Sequence, residues 1–387
     1  MSIKEMIHGI LPEVIALRHE IHANPEIALR EKDTRERVRA FLGDDFRYMT
    51  PLMKTDLIAE LPGREDGECI ALRADMDALP IEEQTGLPWA SCNSGRMHAC
   101  GHDGHMAILA GTARLMADSG ILPRRRVRFV FQPGEEVVGA GRELAALGAY
   151  NGARSAYALH GWPGLPLGTI GLKDGPFFGA SHNFRAVFKG RGAHGAYPEK
   201  GMNPLPAAAR ALVKLQELHQ EVFKTNGEVV SPCAFNGGSA ANVIPDEAIL
   251  LGTVRYIQPE RGDLFEKSIR NIFSGSVAGT SIGLELKYDT TYDIPVVNEA
   301  SRCEIIRQAA MGSKNDRTVL RIIEEETVER ASEDFAFALA RVPGCLYKLG
   351  LGEAAPALHS AGFDFPDDAI ASGILMMTRL AMGEGEG

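Results

Sequence analysis

The 387-residue chain has no apolar run approaching the roughly 18 residues that a membrane-crossing helix needs. Its first twenty residues carry charges throughout their apolar stretch, so no signal peptide is expected. Basic residues are not in excess: 41 Lys and Arg stand against 51 Asp and Glu, a net charge of −10. That balance argues against nucleic acid or an anionic membrane as partner. The one basic run, Arg124-Arg125-Arg126, reads as the solvated start of a strand. Cysteine is scarce: six thiols at 69, 92, 100, 233, 303 and 345 show no paired spacing. With no export signal, reduced thiols in a cytoplasm are expected. There is no internal repeat and no low-complexity tract beyond a short Gly/Glu tail, read as frayed. No Gly-x-Ser-x-Gly elbow leading from a strand into a helix occurs, which argues against a serine hydrolase of that fold.

What remains is ordinary globular composition, 45% hydrophobic and 24% charged. The length favours two domains or three, with a core that needs no disulfide staples. Ile7, Ile10, Leu11, Val14, Ile15, Leu17, Arg18 and Ile21 keep helical spacing until Asn24-Pro25 stops the run. A second, more charged helix is expected over 31–42. Short β-compatible runs at 57–61, 69–73, 127–131 and 156–159 predict strands, with helices over 106–116 and 142–147. This alternation predicts an α/β domain: a mixed sheet with helices on both faces. Between 181 and 292 the pattern changes to strand 183–188, helix 204–223, strands 229–235 and 248–257, helix 264–273 and strand 283–288. That order is β-α-β-β-α-β, a ferredoxin-like module. Helices and short strands then resume at 300–311, 334–341, 346–349 and 367–382. The expected organisation is one catalytic α/β domain made of 1–176 and 293–387, interrupted by an inserted βαββαβ domain at 177–292.

Histidine, cysteine and acidic residues gather just past the predicted strands. Met97-His98-Ala99-Cys100-Gly101-His102-Asp103-Gly104-His105 opens a helix. The strand 127–131 ends in Gln132-Pro133-Gly134-Glu135-Glu136, the strand 156–159 in His160, and the strand 69–73 in Asp75-Met76-Asp77. Open α/β sheets bind ligands at the carboxyl ends of their strands, so four segments deliver metal-type ligands to one crevice. His359 lies in the C-terminal part, which the topology returns to the same domain. One thiolate, several imidazoles and a carboxylate suit borderline divalent ions such as Zn²⁺, and also Mn²⁺, Co²⁺ or Ni²⁺. Cys100 and His102 could serve one ion or bridge two. Adjacent side chains such as Glu135 and Glu136 point in different directions, so one can ligate while the other faces a bound water as general base.

Blander readings account for the other candidates. Cys69, Cys92, Cys233, Cys303 and Cys345 read as small buried hydrophobes. His8, His19, His22 and His219 read as plain surface residues on charged helices. His98 and His105 flank the cluster and read as orienting groups rather than ligands. Gly190-Arg191-Gly192-Ala193-His194-Gly195 matches a dinucleotide fingerprint by letter, but Tyr197-Pro198-Glu199-Lys200-Gly201 cannot open the phosphate-binding helix it requires.

The stretches LRHEIHANPE (17–26), ALRADMDALPI (71–81), MHACGHDGHMA (97–107), FQPGEE (131–136) and HGWPGLPLGTI (160–170) resemble one family. So do AHGAYPEKGMNP (193–204), GGSAANVIPDEA (237–248), GTVR (252–255), SEDFAF (332–337) and LHSAGFDFPDDAI (358–370). That family is the two-metal aminoacylase and carboxypeptidase superfamily, in its amidohydrolase branch, which holds hippurate hydrolases and indoleacetyl-amino-acid hydrolases. The resemblance implies two divalent ions held by Cys100, His102, Glu136, His160 and His359, with Cys100 bridging. It makes Glu135 the general base that activates the bridging water. A His-x-Asp ligand motif of the wider superfamily is replaced by Asp75-Met76-Asp77, so that His102 compensates and Asp77 acts from outside the ligand set. The resemblance further implies that the inserted module forms a homodimer, or a dimer of dimers. His194 would support the tetrahedral oxyanion, from its own subunit or across the subunit interface, and Asn242 and Arg255 would bind a substrate carboxylate. Two departures, Glu199 with Asn203 and His359-Ser360, border the expected acyl pocket.

The expected function is a metal-dependent amidohydrolase that cleaves an N-acyl-L-amino acid, hippurate-like first, into a carboxylic acid and a free amino acid. The alternatives are a dipeptidase or an N-acetyl-amino-acid deacetylase. From another class comes a non-catalytic metal- or ligand-binding relative, which the presence of Glu135 disfavours. The expected partner is a small N-acyl amino acid, with neither nucleic acid nor membrane.

Overall fold

In the computed structural model, which describes residues 2–120, 122–312 and 320–383, the first helix spans Ile3–Ala23. It starts on a capping box in which the Ser2 hydroxyl accepts from the Glu5 amide while the Ser2 amide donates to the Glu5 carboxylate. Its buried face holds Ile7, Val14, Leu17 and Ile21. The second helix is Lys32–Leu42. The Gly/Glu tail at 384–387 lies outside the described residues.

The chain divides into two compact units. One contains an eight-stranded mixed sheet, in the order Arg47–Tyr48, Leu57–Leu61, Arg125–Gln132, Glu65–Asp75, Ala153–Trp162, Gly344–Gly350, Ile170–Leu172 and Ile322–Glu324. The four strands from Arg125–Gln132 to Gly344–Gly350 run parallel. Leu57–Leu61 and Ile170–Leu172 run antiparallel to them at either side. Every residue from 69 to 75 is buried, the mark of a central strand covered on both faces. The helix His102–Ser119 is buried almost all round, against that strand and against the helices Ile3–Ala23 and Ile370–Ala381. Two glycines permit this closeness. A Cβ on Gly111 would lie 2.9 Å from both Val14 and Ile374, and one on Gly373 would lie 2.5 Å from Ile108. The N-terminus of His102–Ser119 is thereby fixed at the carboxyl ends of the parallel strands.

The other unit comprises Phe178–Val296 and Val328–Glu333. Its strands Val229–Asn236, Glu247–Tyr256, Ala180–Lys189 and Gly283–Tyr292 form an antiparallel sheet in that order. With the helices Leu205–Asn226 and Arg261–Val277 it has the ferredoxin-like arrangement. Burial alternates along Glu247–Tyr256, with Ala248, Leu250, Val254 and Tyr256 turned into a core shared with Phe184, Phe188 and Phe273. The fingerprint-like run at 190–195 leads only to the three-residue turn Pro198–Lys200, not to a phosphate-binding helix.

Some elements depart from expectation. Arg47–Tyr48, Ile170–Leu172, Gly175–Phe178, Val296–Asn298 and Ile322–Glu324 are strands too short to leave a periodic signal. The helix expected over 334–341 shrinks to Ala336–Leu339, shortly before Pro343, which bars continuation. Cys92 and Cys233 are exposed rather than buried, because both lie where the chain meets solvent. Among the described residues no helix is long and apolar enough to cross a membrane.

Candidate metal centre

Local backbone geometry sets each side chain. Gly101, at φ 86°, turns the chain into the helix His102–Ser119, and a Cβ there would press on Phe365 at 3.0 Å. Gly134, at φ 64°, does the same for the four-residue helix Glu135–Val138. His160 stands near the carboxyl end of Ala153–Trp162. His359 adopts φ 63°, a left-handed conformation that a non-glycine residue keeps only under constraint. Its amide supplies that constraint by donating to the Ala99 carbonyl at 2.7 Å.

These segments bring Cys100, His102, Glu135, Glu136, His160 and His359 together. Cys100 Sγ lies 3.5 Å from His160 Nε2 and 3.3 Å from His359 Nε2. Glu136 Oε1 lies 3.2 Å from His359 Nε2 and 3.8 Å from His102 Nε2. Three overlapping groups each offer ligand atoms within 4.8 Å of one another: Cys100, His102 and His160; Cys100, Glu136 and His359; and His102, Glu135 and Glu136.

The imidazoles are oriented from behind. His102 Nδ1 donates to the Asp77 carbonyl at 2.8 Å and His160 Nδ1 to the Gly161 carbonyl at 2.9 Å, so both Nε2 atoms turn to the cluster. His105 is bound at both ring nitrogens: Nδ1 donates to Asp75 at 2.6 Å and Nε2 accepts from the Gly161 amide at 2.8 Å. That leaves it no lone pair for a cation. Asp75 is gripped in turn by buried Arg73 at 2.7 Å, whose guanidinium also reaches Gln132 and Asp334. Asp77 spends its carboxylate on backbone, accepting the Glu135 and Glu136 amides at 2.9 Å each.

The electrostatics call for positive charge. Burial pushes the Cys100 thiol well up, and Glu136 and Glu135 add to it. Burial opposes a charge on His102, but Asp75, Asp77 and Glu136 outweigh it and raise the imidazole to about 10. His160 is pressed down to about 3 by burial and by His105. His102 Nε2 and Glu136 Oε1 are buried with no hydrogen-bond partner. Buried polar atoms are rarely orphaned, and here two of them face each other across a mixed thiol, imidazole and carboxylate set. The residues present fit a pair of borderline divalent cations.

His194, Asn242 and Arg255 belong to the other unit. His194 pairs with Val243 across the two-residue strands Ala193–His194 and Val243–Ile244, and the Asn242 carbonyl accepts the Gly195 amide at 2.7 Å. Both residues are exposed. Arg255 is half-buried near the far end of Glu247–Tyr256, bonded to Ser332 at 3.2 Å. The structure brings His194 and Asn242 together and leaves Arg255 apart from them.

The surface reading of His22 is overturned. It is buried, bonded to Asp103 at 2.9 Å and to Glu83 at 3.2 Å, beside an equally buried Arg18. His19 is half-buried, stacked on Trp89 and paired with Asp367. Apolar spacing could not reveal this, because the partners that make burial tolerable are 61 residues and more away. Burial alone would discharge His22, yet Asp103 and Glu83 prevail and lift it to about 9. A pKa raised on folding gives stability that is complete below about 6.5 and lost as pH climbs through 9. Urea titrations should show that loss, up to about 3 kcal/mol, and His22→Gln should flatten it. An equal slope in the variant would assign the pH dependence elsewhere.

The chain's similarities to other proteins agree with this geometry. Residues 71–383 match the model of peptidase family M20/M25/M40. The N-acetylcysteine deacetylase of Bacillus subtilis is 34% identical over 372 residues, covering 95% of this chain and 96% of its own. The N-acetyldiaminopimelate deacetylase of Lacticaseibacillus casei is 30% identical, covering 94% and 95%. A solved dinuclear metal-binding M20 peptidase from Bacillus subtilis superposes with a TM-score of 0.82 at 33% identity, over 98% of this chain and 99% of that one. With a two-cation donor set on a shared fold, the chain belongs to peptidase family M20/M25/M40 and is a metal-dependent amidohydrolase.

Proposed function

We propose that the protein hydrolyses N-acyl-L-amino acids to a carboxylic acid and a free amino acid, with Glu135 as general base. One observation carries this reading. The buried Glu135 sits beside Glu136 at the start of a short helix, with ligand atoms within 4.8 Å of His102, and Asp77 fixes both backbone amides. Cys100, His102, Glu136, His160 and His359 are the proposed ligands, with Cys100 shared between two of the three groups. Two divalent cations, of zinc, manganese, cobalt or nickel, would supply Lewis-acid charge and lower the pKa of a water. Glu135 takes a proton from the attacking water and returns it to the leaving amine, so that hydroxyl goes to the acyl carbon and hydrogen to nitrogen. His194 donates to the oxyanion, and Asn242 and Arg255 receive the α-carboxylate.

Within one chain Arg255 stands nine residues past Asp246, which immediately precedes the strand Glu247–Tyr256 and bonds the Gly192 amide near His194. At ~3.3 Å per residue that is about 30 Å, too far for one carboxylate to meet both Arg255 and Asn242 of the same copy. This separation supports a homodimer in which two copies complete each site.

The names of the relatives favour N-acetyl substrates; the hippurate-like aroyl substrates expected first from the sequence are the second reading. A panel of N-acetyl and N-benzoyl amino acids and dipeptides separates these, and turnover of dipeptides alone would overturn the acyl-amino-acid reading. Arg255→Ala should raise KM about 10- to 100-fold for substrates with a free α-carboxylate, the worth of a charged hydrogen bond, and leave their carboxamides unchanged. Equal effects on both would remove Arg255 from carboxylate binding.

A further inference from the structure

Glu31 immediately precedes the helix Lys32–Leu42, where an acidic side chain would ordinarily cap its own helix or face water. It does neither. Its side chain makes no capping bond and is fully buried. One oxygen, Oε1, accepts two amides at 2.9 Å each: that of Leu29, two residues back, and that of Gly134, 103 residues on. Leu29 at φ 60° and Gly134 at φ 64° are both left-handed. Their closeness is steric as well, since a Cβ on Gly134 would stand 3.3 Å from Leu29 Cδ2. The next two amides, of Glu135 and Glu136, go to the two oxygens of Asp77. Two buried carboxylates therefore grip three successive amides at the turn that carries the proposed base.

We propose that Glu31 is a positioning residue for Glu135, acting through the Gly134 amide to fix the direction in which the base leaves the backbone. The proposal rests on the reading of Glu135 given above. A tether serving the fold alone does not need the charge. A glutamine carbonyl accepts the same two amides, whereas the carboxylate binds them more tightly through charge-assisted bonds and bears the penalty of burial. Burial, with Asp77 adding, lifts the Glu31 carboxyl to about 7. A carboxyl pKa raised on folding costs stability as pH rises from about 4.5 through 7, so above that range the carboxylate is retained at the expense of the fold.

The test uses the two-cation holoenzyme at pH 8 and reads kcat, KM, metal per chain and Tm. Glu31→Ala should lower kcat about 100-fold, the scale of a displaced catalytic group, with KM within about twofold and metal content unchanged. Glu31→Gln should recover part of that loss, standing about tenfold below wild type, with a Tm no lower than wild type. If the alanine variant does not fold, the glutamine variant decides. Wild-type kcat in either folded variant overturns the proposal, as does a kcat loss that tracks lost metal, or a lowered Tm in Glu31→Gln. Glu135→Gln, run alongside, separates the two readings: if it retains turnover, Glu135 is not the base, whatever Glu31 does.

Discussion

Glu135→Gln is expected to lose turnover by about 10²–10⁴-fold, the range for removing a general acid–base, while keeping its fold and both cations. Glutamine matches glutamate in shape, so the space around residue 135 is unchanged. The Glu135 amide that Asp77 holds belongs to the backbone and survives the substitution. What disappears is a carboxylate able to take a proton from water and give it to the amine. The neighbouring substitution makes the control. Glu136 Oε1 points between His102 and His359, so Glu136→Gln should lose activity by weakening cation binding, and added cation should restore part of it. Glu135→Gln should show no such rescue, and its KM should stay near wild type, because proton transfer belongs to the transition state and not to substrate binding. Undiminished turnover in Glu135→Gln would refute the assigned role.

Much of this arrangement was legible in the sequence, for a specific reason. Apolar spacing reports burial, so the helix Ile3–Ala23 and the strands around Leu57–Leu61 and Arg125–Gln132 could be placed from their own residues. The clustering of Cys100, His102, Glu135, Glu136, His160 and His359 was legible because strand ends in an α/β sheet converge. What stayed hidden is ionic burial. Arg18 pairs with Asp103, 85 residues on, and with Asp364, 346 residues on; neither partner is visible from the helix that carries Arg18. Arg73, Gln132 and Asp334 form a buried network behind Asp75 that draws on three distant segments. Glu31 read as one more charge on a charged helix. His359 and Leu29 carry left-handed backbone that only tertiary contacts enforce, and no residue type announces it. The polar scaffold behind the cluster thus lies beyond reach of a single sequence, although the clustering itself does not.

Chelation should abolish activity completely, and divalent cation should restore it. The reason lies in the cluster's own charge balance. Asp75, Asp77, Glu135 and Glu136 converge on His102, while burial holds the Cys100 thiol far from ionising. Two divalent cations held by Cys100, His102, Glu136, His160 and His359 would offset this negative charge and favour the Cys100 thiolate. Any ligand that binds only the folded chain adds RT ln(1 + [L]/Kd) to its stability, about 4 kcal/mol at a thousandfold excess over Kd. Chelated protein should therefore melt at a lower temperature as well as being inactive, and both properties should return in one titration. Because Cys100 belongs both to the group with His102 and His160 and to the group with Glu136 and His359, these residues would hold both cations in the one cluster. Recovery of activity should accordingly saturate at two equivalents per chain. Saturation at one equivalent would leave the second ion without a role, and full activity in rigorously metal-free protein would leave the converging side chains without one.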